Sequence, residues 1–185
     1  MVNEVFSGSE AKMRRAIDAV RKELAGLRTG RANPSLVDHL RIDYYGTPTP
    51  LSQLAGISAP EARLLVIHPW DRQTLPLIEK AILKSDLGLH PINDGNAIRL
   101  PIPLLTEERR RELTRLVRKR IEEGRVSIRN ARRDALDSLR EMEKNKEISE
   151  DERKRAVERL QKLTDAFILE MEQTGRDKEA ELLEV

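Results

Sequence analysis

From Val117 to Met142 the positions Val117, Ile121, Gly124, Ile128, Ala131, Ala135, Leu139 and Met142 follow one another at steps that alternate four and three, with one four repeated near the end. The residues between them are mostly charged or polar. That period draws a narrow apolar stripe along one side of an α-helix. Thr106 is a candidate N-cap, and Glu107 and Glu108 suit the positive end of the helix dipole. Continued to about Asn145, the helix has roughly 40 residues and a length of about 60 Å. A helix of this kind cannot bury its stripe alone, so the rest of the chain must bring other helices to it.

Two more segments have the required pattern. Between residues 10 and 28, Met13, Ala16, Ile17, Val20, Leu24 and Leu27 recur at steps of three and four. Thr29-Gly30 is a helix stop, and Arg31-Ala32-Asn33-Pro34 cannot continue the helix. After a turn at Asn145 to Ile148, Ser149-Glu150-Asp151-Glu152 reads as a capping box. The helix it opens carries Ala156, Leu160, Leu163, Phe167 and Met171 and fades into an acidic end around Glu179 to Glu184. Packing the first helix against the last two predicts an elongated three-helix bundle.

The window from about 31 to 104 has a different texture. Leu40 to Tyr45 reads as a strand ending at Gly46, and Pro48 and Pro50 mark a loop. Leu64 to His68 is a more buried strand. Asp71 caps a helix carrying Leu75, Ile78, Ile82 and Leu83, with Pro76 confined to its first turn. Asn93 to Asn96 is a turn, and Ala97 to Leu100 a last strand, stopped by Pro101 and Pro103. Tyr44 and Tyr45 should point one inward and one outward, and Trp70 should pack at the helix start. The window reads as a small inserted β/α/β domain and the whole as an α+β chain. The expected domains are 1–30 with 105–185, and 31–104. Two short linkers, near Gly30-Arg31 and near Pro103-Leu104-Leu105, make a hinge.

Little here suggests catalysis. With no cysteine among 185 residues, thiolate chemistry, disulfides and cysteine metal sites are excluded. His39, His68 and His90 have no helical i,i+4 partner of the kind that binds zinc and read as structural or surface residues. There is no glycine-rich phosphate loop, and the carboxylates lie on helix faces among Lys and Arg. The N-terminal stretch does not read as a signal peptide, and the longest apolar run, Leu64 to Ile67, is far too short to span a bilayer. A soluble, cytoplasmic monomer without cofactor, membrane partner or DNA partner is expected.

The charge is informative through its placement, because the formal net is only +2. Between residues 109 and 133 lie Arg109, Arg110, Arg111, Arg115, Arg118, Lys119, Arg120, Arg125, Arg129, Arg132 and Arg133, against Glu112, Glu122 and Glu123. On a helical wheel Arg111, Arg115, Arg118, Arg125, Arg129, Arg132 and Arg133 are expected within a sector of roughly 100°, away from the apolar seam. Arginine binds phosphate bidentately, so this edge suits structured RNA. The sober alternative is a solvated face tied to acidic partner helices, and a protein-binding scaffold or a general RNA binder would share the pattern.

Read together, several segments resemble the ribosome recycling factors. They are Leu27-Arg28-Thr29-Gly30-Arg31-Ala32-Asn33-Pro34, Tyr44-Tyr45-Gly46-Thr47-Pro48-Thr49-Pro50-Leu51, Glu79-Lys80-Ala81-Ile82 and Ser85-Asp86-Leu87-Gly88-Leu89. Leu105 to Arg110, Arg129-Asn130, Arg132-Arg133-Asp134 and Gln161 to Asp165 continue the series in family order. The resemblance implies an L-shaped molecule, a three-helix bundle hinged to a β/α/β domain. It implies binding to the post-termination ribosome and, with elongation factor G hydrolysing the GTP, separation of the subunits. It further implies contact with large-subunit ribosomal RNA through Arg109, Arg110, Arg129, Arg132 and Arg133, Arg132 foremost. Arg28 is implied as a further contact or a brace of the hinge, unless it is a linker salt bridge. One departure stands out: the family's second linker commonly has two prolines, whereas here Pro103 is followed by Leu104. The lost proline frees a φ angle and restores an N–H, which puts hinge stiffness in question.

Overall fold

The computed structural model describes residues 2–184. Its chain divides into two compact units. One comprises the first helix up to Leu24 with Thr114–Ala180, the other Ala25–Leu113 with the residues from Glu181 on.

In the first unit three helices pack together: α1 (Val2–Ala25), α4 (Glu107–Lys144) and α5 (Glu150–Leu183), the numbers α2 and α3 belonging to the insert. The seam of α4 is buried almost as its spacing requires, with Val117, Ile128 and Leu139 fully enclosed and Ile121 half-buried. α1 begins near the start of the chain rather than at residue 10. Gly8 and Ser9 interrupt its pattern, yet Phe6 packs into a cluster with Leu139 and Met142 of α4 and Ala156 and Leu160 of α5. α5 likewise does not fade at its acidic end, because Lys178 and Leu182 are buried on it.

Close approach of the helices depends on two glycines. A Cβ on Gly124 would meet Met171 Cε at 2.4 Å and Val20 Cγ2 at 3.0 Å, so α1, α4 and α5 converge where a side chain is missing. A Cβ on Gly175 would lie 2.8 Å from Ile121 Cγ1. Glycine costs a helix interior up to about 1 kcal/mol relative to alanine, and here that cost is offset by packing.

The caps follow the sequence. Arg109 N–H donates to Thr106 Oγ1 at 3.1 Å. Ser149 and Glu152 form the reciprocal box, Glu152 N–H to Ser149 Oγ at 3.2 Å and Ser149 N–H to Glu152 Oε2 at 2.7 Å. Between the helices Lys146 takes a left-handed conformation, φ 60°, and Glu147 N–H closes back on Met142 O. The Ser149 N–H, and then its hydroxyl, hold the Glu152 carboxyl below the ordinary glutamate value, and the Lys154 ammonium does the same to Glu150. A depressed folded pKa stabilises fully above the unfolded value and ceases to do so as pH falls through the folded one. The helices should therefore melt at progressively lower temperature as pH falls through and below the ordinary carboxylate range. Glu152→Gln should flatten that decline when melting is followed by circular dichroism.

The second unit holds the insert. β1 (Arg41–Tyr44) and β2 (Thr47–Pro50) form an antiparallel hairpin. The Pro48 and Pro50 segment is thus a strand, not a loop. The two prolines are two residues apart and share one phase of the ladder, so both can lack their N–H on the side away from β1. A one-turn helix, α2 (Leu51–Leu54), leads to β3 (Ala55–Glu61), then β4 (Leu64–Pro69), α3 (Leu75–Lys84), β5 (Ile92–Asn93) and β6 (Ile98–Pro101). The sheet order is β3-β4-β6-β5, all antiparallel. Leu65, Ile67, Ile98 and Leu100 face inward against Leu75, Ile78 and Ile82 of α3. Asp71 caps a 3-10 turn ahead of α3, accepting from Gln73 N–H at 2.9 Å, and Pro76 sits in the first turn.

Trp70 corrects an expectation. It is 74% exposed and does not pack at the helix start; its ring edge lies over Gly56, 3.4 Å from where a Cβ would stand. Tyr44 is half-buried and Tyr45 exposed.

Candidate nucleic-acid interface

α4 presents its arginines in three ways. On one side they are drawn to α5: Arg118 Nε donates to Glu179 Oε1 at 2.8 Å, and Arg125 approaches Glu172 at 3.7 Å. On the other side α1 supplies partners, with Arg120 3.0 Å from Glu23 and Asp134 2.9 Å from Lys12. A third set pairs within α4 itself. Arg109 meets Glu112 at 2.9 Å, Arg111 meets Glu107, and Arg129 meets Glu122 at 3.4 Å. The hydrogen bond to Glu179 raises Arg118 above its ordinary pKa, and Glu123 and then Glu23 do so for Arg120.

Four cations of the stripe remain. Arg115, Lys119, Arg132 and Arg133 have no carboxylate oxygen within 4.0 Å among the described residues. Eighteen residues separate Arg115 from Arg133, five full turns, so the two lie on one line about 27 Å apart along the axis. Lys119 and Arg129 flank that line, each about 40° from it on opposite sides. Val126 sits on the same outer side, 45% exposed.

At 100° per residue along α4 the seven arginines fall within about 100°, and Arg132 and Arg129 are about 60° apart. Arg125 and Arg132 are half-buried, not turned away from the seam, because they lie seven residues apart on the flank next to the packed stripe. Each has its Nε closed off from solvent without a hydrogen-bond partner. For Arg132 this leaves a guanidinium partly desolvated and uncompensated within the protein, a state that an external anion relieves.

The remaining arginines of interest belong to the second unit. Arg28 is half-buried, and no carboxylate lies within 4.0 Å of it among the described residues. Arg110 lines a cavity of about 520 Å³ with Thr29, Gly30, Arg31, Arg63, Leu104, Leu105 and Glu184. The linker residues run side by side there. Gly30 has φ +80° and would place a Cβ 3.5 Å from Leu105 Cγ. Ala32 N–H donates to Ala62 O at 2.7 Å and Ile102 N–H to Arg63 O at 2.8 Å, tying both linkers to the β3–β4 turn. Arg31 pairs with Glu184 at 2.7 Å, Leu105 is buried, and Pro103 and Leu104 are exposed.

Sequence reasoning named the arginines but could not sort them. The i,i+3 and i,i+4 carboxylates Glu112 and Glu107 were available as a signal; Glu23, Glu172 and Glu179 come from other helices and were not. Among the described residues no group of three or more His, Asp or Glu side chains could hold a metal, and no helix is long and apolar enough to cross a membrane.

The fold and this face together define a helical factor with a cationic edge and a small β-sheet insert. The sequence model of the ribosome recycling factor family matches residues 20–183. Ribosome-recycling factors of Heliobacterium modesticaldum and Dehalococcoides mccartyi strain CBDB1 are 57% and 55% identical over 185 residues, all of both chains. A solution structure of a ribosome recycling factor superposes with a TM-score of 0.80 at 47% identity, covering 100% of this chain and 98% of that one. The T. thermophilus factor, in models with E. coli elongation factor G on the E. coli post-termination complex, gives 0.72 at 49% identity, with both chains wholly covered. The chain belongs to the ribosome recycling factor family.

Proposed function

We propose that the chain binds the post-termination ribosome and, with elongation factor G and GTP, drives its dissociation into subunits and its release from mRNA. Similarity along the whole chain to recycling factors, one of them placed with elongation factor G on a post-termination complex, is the observation that carries this reading. The chain is not an enzyme and takes no cofactor; GTP is hydrolysed by its partner, and the free energy comes from there.

The body that docks is residues 1–30 with 105–185, and the insert is 31–104. Large-subunit ribosomal RNA meets the outer side of α4. Arg132 and Arg133 lead the contact, supported by the uncommitted charges of Arg115 and Lys119. Arg109 and Arg129 exchange a weak surface ion pair for phosphate at small cost, since such pairs contribute about 0–1 kcal/mol. Arg110 and Arg28 extend the contact toward the linkers. Gly30, Arg31, Pro103, Leu104 and Leu105 form the hinge, through which the insert reorients while the body stays docked. The chain works as a monomer in the cytoplasm, with neither membrane nor DNA as a partner.

The test is light scattering from post-termination ribosomes mixed with the chain, elongation factor G and GTP. A fall in scattering that needs all three is expected. No fall, with tight ribosome binding retained, would overturn the splitting role; no binding would return the chain to the scaffold reading.

A further inference from the structure

One exposed polar side chain on the cationic side of α4 carries no charge and can do what a guanidinium cannot. Asn130 lies well inside α4, far from either cap. Asparagine is among the poorer residues for a helix interior, because its short amide competes with the backbone for hydrogen bonds. The fold makes no use of that amide. The two glutamines inside α5 each donate to the aspartate four residues on, Gln161 to Asp165 and Gln173 to Asp177, both at 2.7 Å. Asn130 has Asp134 at the same spacing, yet Asp134 turns to Lys12 of α1 at 2.9 Å. The Asn130 amide is left with no hydrogen bond among the described residues.

Its neighbours say what the amide meets. On the helical wheel Asn130 is about 20° from Lys119 and about 60° from Arg133. It stands among the uncommitted cations and faces whatever they hold. A phosphate, which only accepts, would use the amide N–H and leave the amide oxygen unpaired. A carboxamide is matched by a donor beside an acceptor, and base edges offer such pairs. Guanine's acceptors suit arginine and cytosine's amine suits a carboxylate, and α4 carries both; the complement of the amide is adenine. In RNA such an edge is free where the base is unpaired. Phosphate contacts position a protein, and base contacts specify its site.

We propose that Asn130 reads the Watson–Crick edge of an unpaired adenine in large-subunit ribosomal RNA, donating to ring N1 and accepting from the exocyclic amine. The contact fixes the register in which the arginines grip the backbone. This rests on the RNA docking proposed above.

The test uses the full chain, isolated large subunits and dimethyl sulfate, which methylates N1 of unpaired adenines. Wild type is expected to shield one adenine that Asn130→Ala leaves reactive. The variant should melt no lower than wild type and bind large subunits about tenfold more weakly. Its slope of log K against log[salt] should stay the same, because no phosphate contact is lost. Its affinity for an unrelated RNA hairpin should also be unchanged. Asn130→Lys separates base from backbone: a position facing phosphate would gain affinity from the added charge, whereas here the lysine variant should leave the adenine reactive and bind more weakly than wild type. Wild-type affinity and the same protected adenines with Asn130→Ala, or tighter binding by Asn130→Lys than by wild type, would overturn the inference and leave the arginine contacts standing. Failure of the wild type to bind large subunits would instead sink the docking reading, and the base contact with it.

Discussion

Replacing Arg132 and Arg133 together by glutamine is expected to weaken binding to the large ribosomal subunit by about 100-fold or more. Hydrogen bonds to charged groups contribute about 1.5–3 kcal/mol each, so two such contacts amount to about 3–6 kcal/mol. Glutamine keeps an aliphatic stem and a polar tip, so the half-buried side of Arg132 stays packed and circular dichroism should show an unchanged helix content. The slope of log K against log[salt] should shrink by up to about 2, one counterion release per lost phosphate contact. Arg118→Gln is the internal contrast. Its guanidinium is already engaged by Glu179 at 2.8 Å, so affinity should change by no more than about threefold. Equal losses for both variants would mean that general positive charge, not an uncommitted edge, holds the chain to RNA.

That contrast also marks where the sequence stopped being legible. The α4 seam, the Thr106 and Ser149 caps and the turn at Asn93 to Asn96 were readable because each depends on residues within four or five positions of one another. What was not readable depends on long-range partners. β3 has no clean alternation, carries an irregular register between Ser58 and Glu61, and lies at the sheet edge. β2 was hidden by its prolines, whose tolerance depends on the phase set by pairing with β1. Phe6 joins the bundle through α4 and α5, contacts that the local pattern of residues 10 to 28 does not carry. On the interface, the separation of paired from unpaired arginines comes from Glu23, Glu172 and Glu179, which only the packed helices bring near.

Leu139→Ala should be the most damaging single truncation of the bundle. Leu139 is fully enclosed, and its cluster draws Phe6 from α1 and Ala156 and Leu160 from α5. Removing a buried leucine to alanine costs about 2–5 kcal/mol through lost transfer energy and the cavity that remains. Three helices meet at this point and none can collapse inward without unseating the other two, so the loss should lie in the upper half of that range. Thermal unfolding followed at a helical wavelength is the measurement. A loss below about 1 kcal/mol would mean that the helices repack freely there, and the body would then be too soft to hold the α4 cations on one line.

The most direct measurement of the central claim uses the absence of cysteine from the chain. A single Val126→Cys on the outer side of α4 can carry an iron chelate that generates hydroxyl radicals, and Leu169→Cys, exposed on α5, serves as the comparison. With the chain bound to post-termination ribosomes, strand cuts in large-subunit ribosomal RNA from position 126, stronger than those from position 169, are predicted. RNA left intact around position 126 while position 169 cuts it would contradict the account, because another face of the bundle would then be the one that docks.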